Sequence, residues 1–243
     1  MTPPAAEGRW SLVEARLHGR PSSTERAAAL AWQLLNRHGI LTREAIATEN
    51  VPGGFSAVYE VLKAMEERGR IRRGYFVAGL GAAQFALPAA VDLLRSLRVV
   101  PETPQTVYMA ATDPGNPYGA ILRWPGAGQG TGSGSRPPER RGPTRQAGAG
   151  VIVVNGSLAR YVGRADRQLF TFLPEDEPGR SAVAAQVARM LHALATGGSD
   201  RPGMLIAEID GEPAATHRLA PFLIDAGFTR RPTGFQAAPP RES

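Results

Sequence analysis

Residues 70–87 read Arg70-Ile71-Arg72-Arg73-Gly74-Tyr75-Phe76-Val77, a turn at Gly79-Leu80-Gly81, and Ala82-Ala83-Gln84-Phe85-Ala86-Leu87. Two strand-like runs about a glycine turn make a β-ribbon, and glycine supplies the positive φ that such turns use. The first run is basic, with Arg70, Arg72 and Arg73 close together. What precedes the ribbon is helical. Ser22 with Glu25 forms a capping box that starts one helix; Leu30, Leu34 and Leu35, with Trp32, face inward, and His38-Gly39 ends it. Thr42 caps a second helix through Glu49, which Asn50, Pro52, Gly53 and Gly54 stop. In a third, Phe55, Val58, Leu62 and Met65 recur at helical spacing. Ser56, Tyr59, Glu60, Lys63, Glu66 and Glu67 are left on its other side, and Gly69 ends it. Three helices followed by a ribbon is winged-helix order. Pro88 opens one more helix, ending near Arg98. Residues 1–98 are therefore expected to form a winged-helix domain with an extra C-terminal helix.

Beyond it, residues 106–111 and 120–124 are apolar segments split by Asp113-Pro114-Gly115-Asn116-Pro117-Tyr118-Gly119. Residues 99–125 thus read as connecting strands around a proline-rich loop. Residues 126–150 are Gly, Ser and Pro with Arg136, Arg140, Arg141 and Arg145, the composition of a flexible basic linker. Residues 151–154, Asn155-Gly156 and residues 157–162 form the clearest hairpin, because Asn-Gly fits a type I′ turn. Residues 168–173 add a strand. A helix over 181–195, a strand over 204–209, a short helix over 216–226 and a terminal strand after Gly227 complete the pattern. Residues 151–236 are thus a small mixed sheet unit with two helices, and the fold class is α+β.

Composition narrows the chemistry. With 42% hydrophobic and 21% charged residues the 243-residue chain is globular, while 28 Gly and 21 Pro require loops. Cysteine is absent, which removes disulfides, thiolate zinc sites, iron–sulfur clusters and thiol nucleophiles, and favours a reducing compartment. Residues 1–8 lack an apolar run and no eighteen-residue apolar stretch occurs, so neither a signal peptide nor a membrane span is expected, and the cytoplasm is the expected location. A net charge of +6 attracts polyanions. A bias of the coding sequence toward Ala, Gly, Arg and Pro also produces such a charge, so its location matters more than its total. The single lysine, Lys63, follows Leu62, and no G-x-x-x-x-G-K-[ST] loop is present to hold ATP phosphates. His18, His38, His192 and His217 are scattered without metal-ligand spacing. Neither a metal nor a cofactor is expected.

Several segments together resemble the C-terminal region of the large helicase-related (Lhr) family of bacterial DNA-repair helicases. They are Gly53-Gly54-Phe55 with Val58-Tyr59, residues 66–77, residues 79–88, residues 110–119, the hairpin at Asn155-Gly156, and Ile209-Asp210-Gly211-Glu212-Pro213. Their order along the chain agrees as well. The resemblance implies tandem winged-helix modules and a β-barrel-like module, related in architecture to AlkZ-type alkylpurine glycosylases. It further implies self-association into a homo-oligomer, work beside a helicase motor, and, for some members, removal of uracil from DNA without ATP.

On the residues themselves, Arg70, Arg72 and Arg73 are placed to contact phosphates, with Tyr75 or Gln84 near a groove or base. The alternative is a solvated edge strand kept soluble by charge. The third helix offers Tyr59 and Lys63, but Glu60, Glu66 and Glu67 beside them repel phosphate. Asp113, Asn116 and Tyr118 combine a carboxylate with groups able to hold an extruded base, as base excision needs; the same residues are ordinary turn formers. Arg140 and Arg141 add linker cations. The expected partner is DNA, single-stranded or with a flipped base. A DNA-binding module is the leading reading; a uracil-removing glycosylase with Asp113 at the anomeric carbon and an assembly platform for a motor are the alternatives.

Overall fold

The computed structural model describes residues 11–14, 19, 21–81, 83–99, 101–126, 142–163, 169–197 and 203–237. The chain divides into two compact units between Arg95 and Ser96.

In the first unit, α1 (Ser23–His38) begins on the capping box. The Ser22 hydroxyl accepts the Glu25 amide at 3.2 Å and the Glu25 carboxylate accepts the Ser22 amide at 2.8 Å. Gly39, at φ +69°, donates its amide to the Leu35 carbonyl and ends the helix. Next come β1 (Ile40–Leu41), α2 (Arg43–Thr48), capped by the Thr42 hydroxyl, and α3 (Ser56–Glu67). Ala31, Leu34 and Leu35 of α1 are buried, as are Val58, Leu62 and Met65 of α3, and the two helices pack together. Each such Leu or Val contributes about 1.5–3 kcal/mol on burial, so the helical period read from the sequence is what assembles the unit.

β2 (Arg72–Gly74) and β3 (Gln84–Ala86) form the ribbon, with Arg73 opposite Phe85 and Gly74 opposite Gln84. β3 also pairs with β1, giving the order β1-β3-β2. The strands are shorter than the sequence suggests, because beyond Gly74 the amides of Phe76 and Val77 are taken by the Gln84 side chain. α4 (Pro88–Ser96) closes the unit.

The second unit is built on an antiparallel meander of β4 (Thr106–Ala110), β5 (Gly150–Val154), β6 (Ser157–Val162) and β7 (Leu169–Thr171). Asn155 at φ +49° and Gly156 at φ +81° turn the β5–β6 hairpin as a type I′ turn requires. α5 (Gly179–Thr196) lays Ala184, Val187, Ala188 and Leu191 over one sheet face, in a core with Ile152, Val154 and Val162. On the other face Val151, Leu158 and Tyr161 pack with Tyr118 and Trp124. β8 (Met204–Ile206), the β9 (Glu208–Ile209)–β10 (Glu212–Pro213) hairpin, α6 (Ala220–Asp225), β11 (Thr229–Arg231) and β12 (Gly234–Ala237) follow, and a second sheet runs β11-β12-β8.

Three expectations are corrected. The described sheets are open, with at most four strands of three to six residues; this is too few to close into the barrel-like module the resemblance implies. The apolar run 204–209 divides between two sheets, β8 pairing with β12 and β9 with β10. Residues 120–124 are not a strand: the Ile121 and Leu122 amides turn back onto the Pro117 carbonyl, and Trp124 is spent on packing against Tyr118 and Tyr161. Among the described residues no helix is long and apolar enough to cross a membrane.

Candidate nucleic-acid interface

The ribbon presents a cluster of exposed guanidinium charge. Arg70, Arg72 and Arg73 are all exposed, and among the described residues none of the three has a carboxylate within ion-pair distance. Alternation along β2 sends Arg72 and Arg73 to opposite faces. The Arg73 guanidinium lies 5.9 Å from the centre of the buried Phe85 ring, a contact that orients it and leaves its charge in water. Tyr75, immediately after the strand, is 81% exposed.

Gln84 is placed differently from the expectation. It is fully buried, and its amide makes four hydrogen bonds: Oε1 accepts from Phe76 N at 2.9 Å and Val77 N at 2.8 Å, while Nε2 donates to Val77 O at 2.9 Å and Gly81 O at 3.1 Å. An amide with both donors and both lone pairs engaged has nothing left for a base. Gln84 therefore braces the wing from within. Tyr59 is half-buried in a ring cluster with Phe55 at 5.6 Å and Phe85 at 6.2 Å, and its neighbour Lys63 is exposed. Glu60 and Glu67 are exposed on the same helix. α3 thus carries mixed charge, whereas the wing is uniformly basic.

The 113–119 loop is a built structure. Asn116 is 1% exposed; its Nδ2 donates to Ala111 O at 2.8 Å and its Oδ1 accepts from Tyr118 N at 3.1 Å. The Tyr118 hydroxyl accepts the Leu158 amide at 3.1 Å. Both residues hold the loop to the sheet, so neither is free to grip a base in this conformation. Asp113 is exposed and its carboxylate accepts the Gly115 amide at 2.7 Å, a local turn. Its carboxylate is accessible to solvent.

Arg145, read from composition as part of a flexible linker, is a clamp. Its guanidinium donates to four backbone carbonyls, those of Asn116 at 2.6 Å, Tyr118 and Asp113 at 3.2 Å and Thr112 at 3.3 Å. Residues 142–149 are ordered beside it, with Ala149 accepting the Ala111 amide. Arg140 and Arg141 lie outside the described residues.

A second polar centre forms at Asp210, within the 209–213 segment that carries part of the family resemblance. The Asp210 carboxylate, at the β9–β10 turn, accepts the Thr171 amide at 2.7 Å, the Thr171 hydroxyl, and His217 Nε2 at 3.2 Å. His217 Nδ1 accepts the Leu219 amide, so Nε2 carries the proton. Burial pushes the His217 pKa down, with Asp210 working against it. Arg160 of β6 stands opposite Thr171, is fully buried, and among the described residues its three guanidinium nitrogens have no hydrogen-bond partner. Burial lowers it to about 10, opposed by the Asp210 charge; it remains charged at neutral pH. The available signal was a lone arginine inside the otherwise apolar β6 hairpin strand. Among the described residues no group of three or more metal-ligating side chains occurs.

Three helices with a basic ribbon in this order define a winged-helix domain, a class of module that contacts DNA. Residues 20–106 match the domain described as large helicase-related protein, winged-helix domain. A Mycolicibacterium smegmatis protein named Lhr helicase/probable uracil glycosylase is 40% identical over 243 residues, 97% of this chain and 15% of the relative. The Escherichia coli K12 protein named Lhr helicase/uracil glycosylase is 35% identical over 238 residues, 95% of this chain and 14% of the relative. The chain belongs to the Lhr family and corresponds to a C-terminal region of it. It spans about one-seventh of the length of these two relatives.

Proposed function

We propose that this chain is a DNA-binding module of an Lhr-type repair protein, gripping phosphates through its wing and working without an ATP site of its own. The observation that carries this reading is the set of three exposed guanidinium groups, Arg70, Arg72 and Arg73, with no carboxylate partner among the described residues. Each phosphate neutralised by such a group releases a condensed counterion, so binding weakens as salt rises. In fluorescence anisotropy with a labelled single strand, log affinity should fall with log salt at a slope steeper than about −2, from about 0.7 per phosphate and three contacts. Affinity that ignores salt would remove the reading.

Removal of uracil is the second reading, favoured by the glycosylase in the names of both relatives. Asp113 is its candidate carboxylate, because the residue is exposed and, among the described residues, its carboxylate accepts one hydrogen bond, from the Gly115 turn amide. Uracil-containing single strands incubated with the chain and then treated with alkali report it. Scission that is lost in Asp113→Asn supports the assignment, a loss of about two to four orders of magnitude being usual for a group acting directly on the reacting bond. Scission that survives in Asp113→Asn moves the chemistry elsewhere. The absence of scission with binding intact leaves the module non-catalytic.

A further inference from the structure

We propose that Tyr75 is a stacking plate for an unpaired base, and that the buried amide of Gln84 is the positioning residue that holds it out. This rests on the wing being the nucleic-acid interface and adds what that interface selects. The backbone on both sides of Tyr75 is fixed. Before it, Gly74 is paired with Gln84 in the ladder. After it, the amides of Phe76 and Val77 both donate to Gln84 Oε1. Phe76 turns inward, its ring so close over Gly74 that a Cβ there would lie 3.1 Å from Cζ. Phe76 and Val77 are half-buried; Tyr75 alone of the three is exposed, at 81%.

A fully buried glutamine is sustained only where all its bonds are made, and here they converge on the loop that carries one exposed aromatic ring. The result is a ring on a rigid mount with two rotatable side-chain bonds, which loses little freedom when a base lies on it. The neighbouring guanidinium groups bring the phosphates within reach. A base in a duplex is already stacked on both faces, so the ring gains contact there only by forcing a step apart. An unpaired base offers its face directly. The geometry therefore favours single strands over duplex through Tyr75, while the arginines serve both.

The test compares an oligothymidylate with a duplex by anisotropy across a salt series, using the full chain and its Tyr75→Ala, Tyr75→Phe and Tyr75→Trp variants. Tyr75→Ala should weaken single-strand binding about tenfold, the usual loss for one stacked base. Duplex affinity and the salt slope should stay unchanged, and Phe or Trp should restore single-strand binding. Gln84→Met should lower the ratio of single-strand to duplex affinity in the same direction, without touching the salt slope. A single strand carrying 2-aminopurine should lose fluorescence on binding the wild type and not on binding Tyr75→Ala. An unaltered single-strand affinity in Tyr75→Ala, or equal losses on both DNAs, overturns the proposal. The outcomes separate from the broader reading: a salt slope indifferent to loss of the three arginines sinks the interface, whereas a normal arginine response beside an inert Tyr75 sinks only the stacking role.

Discussion

Asp210→Asn is expected to lower the unfolding free energy by about 1–3 kcal/mol in denaturant titration, the range for leaving buried donors without their acceptor. Asparagine tolerates the left-handed backbone of this position, φ +56°, much as aspartate does, so the loss reports charge and hydrogen bonding. The carboxylate is the acceptor for Thr171 and His217, and an amide nitrogen in its place would face those donors. It is also the counter-charge that opposes the desolvation of Arg160, whose guanidinium nitrogens have no hydrogen bond among the described residues. Arg160→Met should behave in the opposite sense, neutral or stabilising, because a well-packed apolar chain removes the desolvation penalty. The double variant should then recover part of the Asp210→Asn loss, a coupling that a double-mutant cycle measures. A cycle showing simple additivity would separate the two residues.

The same centre sets a pH dependence. Burial depresses His217 below its ordinary value in the folded chain, so the unfolded chain binds the extra proton first. Its contribution to stability is complete above about pH 6.5, the unfolded value, and declines as pH falls through that value toward the lower folded one. In Asp210→Asn the carboxylate that works against the depression is gone. The decline should then extend further into acid, which denaturation at stepped pH would show.

What the sequence revealed and what it hid divide along physical lines. Local signals were reliable: the capping box at Ser22 and Glu25, the helix stop at Gly39, the helical spacing of Val58, Leu62 and Met65, and the Asn155-Gly156 turn each act within a few residues and appear as read. Non-local pairing was not legible. Nothing local separates residues 204–206 from 208–209, since the division depends on β12, some thirty residues later. The fate of polar side chains was the least legible of all. Gln84, Asn116 and Arg145 have the chemistry of base or phosphate contacts, yet each bonds to backbone groups that only the folded loops bring together. The exposure of the wing arginines was legible because it is the default at a turn-bounded ribbon for three charges so close in sequence.

Arg70→Ala, Arg72→Ala and Arg73→Ala combined should cost DNA binding far more than any single change elsewhere in the chain. The three side chains are exposed and bound to no carboxylate among the described residues, so folding should be spared and the loss should lie in the complex. A slope reduced by about two for a single strand corresponds to roughly a hundredfold in affinity per decade of salt below the 1 M reference. α3 cannot substitute, because Glu60 and Glu67 stand beside its one lysine. Thermal unfolding of the triple variant should match the wild type.

The salt titration of that triple variant against wild type, on one labelled single strand from about 50 to 200 mM salt, is the decisive measurement. A slope flatter by about two units for the variant is the predicted result. Parallel lines for the two proteins would mean that the phosphates are held elsewhere and that the wing is not the DNA-binding surface.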